Sequence, residues 1–352
     1  MPIQGLSLKP LIQALLALSG FGQGPAAAAA ETVTIAPAET TVTPPSFRLD
    51  GQLDRVTGIA EHSSHALEQI RLGGVPVLHR ATLAHRIENT VFAAGRLCTY
   101  RMIDRQSGEQ PRRLLARLRE GLDNAALPLN HFATIYFGHT VLDGGASLML
   151  APGFGEACID SVVSAGMAGH VDRYFALFGL SHRPVHDVRI RNAWIFEDIG
   201  MNAHKSARLK QMSAQVRTLP AIRSGHGVFI RRRGWGVNRA PENEAQLEDF
   251  FAARGFDIID PRDLTVDQIV SRIIGAAVVV GVEGSGMIHG MLALEPGRTV
   301  VMLLPPSRLN NMMKNYADGL GLHYAFVVGR STANGYVIDA EEILRTIDLV
   351  PG

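Results

Sequence analysis

The chain has 352 residues, 46% hydrophobic and 19% charged, with a formal net charge of +1. That length and apolar content suffice for two domains with real cores, and the near-neutral balance gives no reason to invoke nucleic acid. Its two cysteines, Cys98 and Cys158, stand far apart in no metal-ligand spacing, so they point to neither a disulfide framework nor zinc but to thiols in a reducing cytoplasm.

At the N-terminus, residues 11–21 are largely apolar, follow Lys9 and precede a run of five alanines, which imitates a secretory signal with a small-residue cleavage site. The single Lys, the interrupting Gln13 and a Gly-Gln-Gly break count against that reading, and the run is too short to span a bilayer. The alternative is a flexible Ala/Pro/Thr-rich arm, or a short amphipathic helix, extending to Pro45.

Beyond the arm, VPVLHR reads as a strand and VFAAGRLCTYR as a hairpin turning at Ala94-Gly95. Helices are expected after Pro111 and after His170. The first would carry Arg112, Arg113, Arg117 and Arg119, a basic face suited either to solvent or to an anionic membrane surface or polymer. In YFGHTVLDGGASLML, residues 136–150, His139 and Asp143 are spaced i, i+4, which on a helix places them on one face within reach of each other. Asp143 would then set the tautomer of His139 and stabilise its protonated form, as a general base requires. A buried or capping histidine is the plainer alternative, since the chain has thirteen. Residues 201–218 read as a helical connector ending at Pro220, and from Val228 strands and helices alternate as βαβ units. No internal repeat is found.

The most informative stretch is AVVVGVEGSGMIHGMLALEPGRTVVMLL, residues 277–304. Two apolar runs read as buried parallel strands on either side of a glycine-rich turn and a helix. Gly281, Gly284 and Gly286 permit a sharp turn and close approach of a ligand, Ser285 could cap a helix starting near Met287, and a helix N-terminus favours an anion such as phosphate. The Rossmann dinucleotide fingerprint is missed. Gly290 falls one residue late, and the second strand ends in Leu304-Pro305-Pro306 where an acidic residue should meet a ribose. Glycines that serve only helix-strand packing are the structural alternative.

Taken with the following Asn310-Asn311, Lys314 and GLGLHYAFVVG, this stretch resembles the C-terminal signature of family 61 glycosyltransferases: a strand, Gly-x-His-Gly-Ala-Gly-Leu, a helix, and Pro-Gly before the next strand. VFIRRRGWGVNRAPENEAQLEDFFAARGFDIIDPRDLTVDQIVSRIIGAA is similar to the family's upstream segment, with Arg231, Arg232, Arg239, Asn243 and Glu244 at the positions its pattern wants. The resemblance is continuous over residues 228–329. Residues 136–150 resemble a further segment, keeping His139, Leu142 and Asp143 but with Thr140 where a Trp is usual. Glu283 stands where most members have His, a Glu-Gly-Ser variant that resembles a bacterial branch, and His289 stands where Asn is usual.

The resemblance implies an α/β, GT-B-like architecture of two Rossmann-like domains facing across a cleft. The division would be an arm over residues 1–45, an acceptor-side domain over 46–200, a connector over 201–220 and a nucleotide-sugar-binding domain over 221–352, with the C-terminal EEILRTIDLV helix crossing back. It implies an inverting transfer of sugar from a nucleoside-diphosphate sugar donor to a carbohydrate acceptor, a bacterial surface or capsular polysaccharide. Activated sugars are made in the cytoplasm, so a cytoplasmic site, up to the inner face of the membrane, is expected.

On this reading His139, Asp143 and Glu283 are the catalytic candidates. Arg231, Arg232, Arg239, Asn243, Glu244, Gly284, Ser285, Gly286, Met287 and His289 are the nucleotide-sugar-binding ones, His289 being the residue that packing alone would also explain. The leaving pyrophosphate needs its growing charge stabilised. No Asp-x-Asp triplet occurs to hold a metal, so Arg231, Arg232 and Arg233 with the 284–286 turn would supply positive charge with no metal and no cofactor. Glu283 would repel a pyrophosphate and better suits sugar, ribose or acceptor hydroxyls. Two other classes remain as alternatives: a non-catalytic nucleotide-sugar-binding or scaffold protein of polysaccharide assembly, and an oxidoreductase, which would bind nicotinamide.

Overall fold

The computed structural model describes residues 5–19, 22–105, 114–161, 163, 169–222, 226–232 and 239–351. The chain forms two units, one of Met1–Glu39 with His79–Arg208 and one of Thr40–Leu78 with Leu209–Gly352.

The first unit contains β1 (Gly5–Ser7), α1 (Lys9–Ser19), β2 (Glu31–Ala36), β3 (Thr82–Ala93), β4 (Arg96–Cys98), β5 (Ile103–Arg105), β6 (Ala116–Leu118), β7 (Glu120–Leu127), β8 (Glu156–Asp160), α2 (His170–Leu177), β9 (Arg183–Val185), β10 (Val188–Glu197) and the start of α3 (Ala203–Val216). Its main sheet has the order β9-β8-β7-β10-β3-β4-β5, with β2 also on β3. Strands β7 to β10 are mutually parallel, whereas β3 runs antiparallel to β10, β2 and β4. This mixed sheet is not the all-parallel sheet of a Rossmann-like domain. The reason is local: Ala94 and Gly95 both take positive φ, at 47° and 65°, the two-residue turn that matches strand twist and folds β4 directly back on β3. The expected hairpin at Ala94-Gly95 is therefore present.

Two other expectations change. Glu31–Ala36 of the supposed loose arm pairs with β3, because a β-branched run satisfies its backbone groups on that strand. After Pro111 the described chain forms strands, not a helix: Ala116 and Leu118 are buried while Arg117 and Arg119 are exposed, a period of two. Arg112 and Arg113 lie outside the described residues. The helix after His170 and the helix of the 201–218 segment are both present.

The second unit holds β11 (Gly227–Ile230), α4 (Glu244–Ala252), β12 (Asp257–Ile259), α5 (Val266–Ile273), β13 (Val278–Val282), α6 (Met287–Ala293), β14 (Thr299–Leu304), α7 (Met312–Leu320), β15 (His323–Val328) and α8 (Ala340–Ile347). Its five strands are all parallel in the order β12-β11-β13-β14-β15. Every residue of β11, β13 and β14 is buried, as a sheet covered on both faces demands. Val278, Val280 and Val282 share one core with Leu247 and Phe251 of α4 and Ile343 of α8. On the other face a Cβ at Gly290 would come within 2.7 Å of Val279, so only glycine lets α6 lie this close. Helix α5 begins with a full capping box, Thr265 and Gln268 exchanging side-chain and backbone bonds.

Counted along the chain, the strand order is second, first, third, fourth, fifth. The direction of winding reverses between β11 and β13, and ligands of such sheets bind outside the strand ends at that reversal. Thr40–Leu78 falls in this unit rather than in the first half, where a linear division puts most of it. Phe47 extends the sheet past β15: its N–H donates to Tyr324 O at 3.0 Å, and Phe326 N–H donates to Phe47 O at 3.1 Å.

Candidate active site

In the first unit, residues 137–148 form one helical run that widens into a π-helical turn at Thr140–Gly144. Such single-turn expansions recur at functional sites because they re-aim side chains. The turn is held from within: Thr140 Oγ1 donates to Ala133 O at 2.6 Å, and Asn130 Oδ1 accepts from Ala133 N–H at 2.9 Å. Thr140, which stands where a Trp is usual, is thus a buried anchor.

His139 Nδ1 and Asp143 Oδ2 lie 2.6 Å apart, as the i, i+4 spacing anticipates. Lys205, absent from the sequence reading, completes the group by donating through Nζ to Asp143 Oδ1 at 2.7 Å and to Asp198 O at 2.6 Å. Burial alone would raise the Asp143 carboxyl, but the Lys205 charge and the His139 contact outweigh it and hold that carboxyl well below the usual carboxylate range. With anionic Asp143 on Nδ1, any acid-base work of His139 would fall to Nε2. Lys205 is positioned by Asn202, whose Oδ1 accepts the Lys205 N–H at 3.0 Å. One turn on, Arg208 grips buried Asp198 through two bonds of 2.9 and 2.8 Å and donates to Ala146 O. Around His139 stand the half-exposed rings of Phe132 and Tyr136, with centroids 5.9 and 6.0 Å from the imidazole.

In the second unit the turn after β13 meets the end of β11. Gly284 has φ of +148°, a backbone conformation that favours glycine, and a Cβ there would lie 2.5 Å from Arg232 Nη1, so a larger residue would strain the turn and displace the end of that arginine. A Cβ at Gly286, by contrast, meets no atom within 4 Å. Burial, then the neighbouring Arg239 charge, pushes the Arg232 guanidinium below its ordinary value, a cost that an incoming anion would relieve. Glu244 fixes the segment by accepting the Arg232 N–H at 2.6 Å.

Glu283 is buried and already engaged. Arg239 and Arg308 each donate to its Oε2 at 2.7 Å, and Asn310 donates to Oε1 at 2.9 Å. A carboxylate with three of about four acceptor positions filled is an arginine anchor, ill suited to receive an acceptor proton. Arg308 and Asn310 thus join the group, and nothing in the local pattern near the turn announces Arg308.

The other expected residues separate. Arg231 turns away from Arg232, its Nε 3.5 Å from both Glu248 and Asp260, because successive residues leaving a strand point to opposite sides. Asn243 is structural: it brackets Ile338, donating to its O at 2.7 Å and accepting from its N–H at 3.0 Å. Met287 and His289 are buried in α6. Ser285 does not cap that helix: the N-cap is Gly286, with no side-chain cap bond. Arg233 lies outside the described residues.

Comparison with known protein families gives one match. Residues 137–302 match the family model Glycosyltransferase 61. The match supports glycosyltransferase family 61 and, with it, glycosyltransferase activity. It starts two residues before His139 and runs through Lys205, Arg232, Arg239 and Glu283; Arg308 and Asn310 follow it. No curated protein matches the chain.

Proposed function

We propose that this chain is an inverting glycosyltransferase that uses a nucleoside-diphosphate sugar and no metal. The observation that carries the donor half is the convergence of Arg232, Arg239 and Arg308 on the 283–286 turn, at the strand ends where the winding of the sheet reverses. Guanidinium groups there would meet the diphosphate and stabilise the charge that grows on it as the sugar leaves. The open space over Gly286 is where the donor would approach the backbone.

For the acceptor half, His139 Nε2 takes the proton of the attacking hydroxyl, with Asp143 holding the tautomer and Lys205 holding Asp143. The exposed faces of Phe132 and Tyr136 suit the apolar side of a sugar ring, in keeping with a carbohydrate acceptor. A GT-B-like division of labour, a polysaccharide of a bacterial surface or capsule as acceptor, and a cytoplasmic location belong to the same proposal and rest on the family resemblance.

Calorimetric titration with a panel of nucleoside diphosphates, followed by donor turnover in excess EDTA, tests the reading. One diphosphate should bind and turnover should survive chelation. Activity that vanishes in EDTA and returns with Mn²⁺ or Mg²⁺ overturns the metal-free mechanism, and donor binding without turnover in acceptor extract favours a scaffold.

A further inference from the structure

Helix α1 is built inside out. Its buried residues are Lys9, Pro10 and Gln13. Gln13 Nε2 donates to Leu97 O at 3.0 Å and Met102 O at 3.3 Å, Cys98 Sγ donates to Gln13 Oε1 at 3.0 Å, and Lys9 Nζ donates to Asn89 Oδ1 at 3.0 Å. With its polar side chains turned inward, the helix presents Leu11, Leu15 and Leu18, spaced i, i+4, i+7, on the opposite side. Leu15 is 56% and Leu18 78% exposed. An ordinary surface helix does the reverse, and a row of leucines in water forfeits the free energy that an apolar contact would return.

Further leucines are exposed just before this helix in sequence and just before the strand paired with β1. Leu6 and Leu8 are exposed, as are Leu114 and Leu115 just before β6. In the β1–β6 pair Leu6 stands opposite Arg117. Residues 5–19 and 114–119 carry no acidic side chain, and their exposed cations are Arg117 and Arg119. Exposed Tyr100 lies beneath Lys9, 5.1 Å from Nζ to the ring centre, and exposed Arg101 follows it. Leucines flanked by cations and a tyrosine complement an anionic lipid surface. At 11 residues, α1 is about 16 Å long against a hydrocarbon core of about 30 Å, and among the described residues no helix is long and apolar enough to cross a membrane.

We propose that α1, β1 and residues 114–119 form a docking surface for an anionic lipid bilayer, with the Leu11, Leu15 and Leu18 face lying in the interface plane. This goes beyond the transferase reading and stands without it.

The full chain, its N-terminus verified by intact mass, is sedimented with vesicles of equal parts phosphatidylcholine and phosphatidylglycerol and, separately, of phosphatidylcholine alone. The wild type should partition onto the anionic vesicles and come off as salt rises. Replacing Leu15 and Leu18 together by Asp should cut partitioning about tenfold or more, while Phe at both positions keeps it. Arg117→Glu should lower it about fivefold. Thermal unfolding monitors the fold of each variant; should the aspartates unfold the protein, the Phe and Arg117→Glu arms decide. A wild type that ignores anionic vesicles, equal binding to neutral ones, or folded variants that bind like wild type overturns the proposal. So does a dimer, seen by light scattering, that the aspartates dissolve without any vesicle binding.

Discussion

The two candidate groups, one in each unit, are built by different means. In the second unit the 283–286 turn and the end of β11 meet because neighbouring parallel strands end side by side, so the sheet itself brings Arg232 against Gly284. In the first unit His139 and Asp143 come from one helical turn, but the charge that holds Asp143 arrives from Lys205 on a helix 62 residues further on.

The largest expected difference lies in turnover. If His139 is the proposed base and the nucleotide binds in the second unit, His139→Ala should lose about 10²- to 10⁴-fold in rate while nucleotide affinity stays constant. Should Glu283→Gln abolish turnover and His139→Ala leave it near wild type, the base belongs to the second unit and the anchor role assigned to Glu283 fails.

Next comes stability. Arg208→Ala strands the buried Asp198 carboxylate and should cost about 3–5 kcal/mol in denaturant unfolding. A cost no larger than that of an exposed arginine would mean that the first-unit network is not the support described.

In the second unit the effect should fall on binding. Arg232→Ala should weaken nucleoside diphosphate affinity by about 1.5–3 kcal/mol, the range of a charged hydrogen bond. Gly286→Val is the sharper probe: its Cβ would touch no protein atom, so the fold should survive while the ligand space is filled. Unchanged calorimetric affinity in both variants removes the donor site from this turn.

The smallest effect compares the acid limbs of the two units. Asp143 is depressed by Lys205 and His139 against its burial, and Glu342 is depressed to about 2, first by its Arg55 hydrogen bonds and also by Arg330. A depressed carboxylate stabilises the fold above its unfolded pKa, near pH ~4, and that stability drains as pH falls because the unfolded chain binds the proton first. Asp143→Asn and Glu342→Gln should each flatten the loss of unfolding free energy below pH ~4 relative to wild type. An unaltered slope in either variant shows that its carboxylate is not held in this way.

By itself the sequence determined the parts governed by local rules. The apolar runs of β13 and β14, the glycine turn between them, the Ala94-Gly95 hairpin and the His139–Asp143 pair all depend on spacings of two to seven residues, where backbone periodicity leaves few outcomes. Only the tertiary structure decided which of the named side chains share a site. Arg231 and Arg232 are adjacent in sequence yet turn to different partners, Asn243 is drawn to the Ile338 backbone, and Glu283 is occupied by arginines from positions 239 and 308. The same holds for Glu31–Ala36, whose composition suggests a loose arm until the β3 edge offers its hydrogen bonds, and for α1, whose leucines face outward because Gln13 finds buried partners and Lys9 turns in to Asn89. Buried charges and open strand edges take partners from distant parts of the chain, and that choice follows from packing rather than from the pattern of the residues nearby.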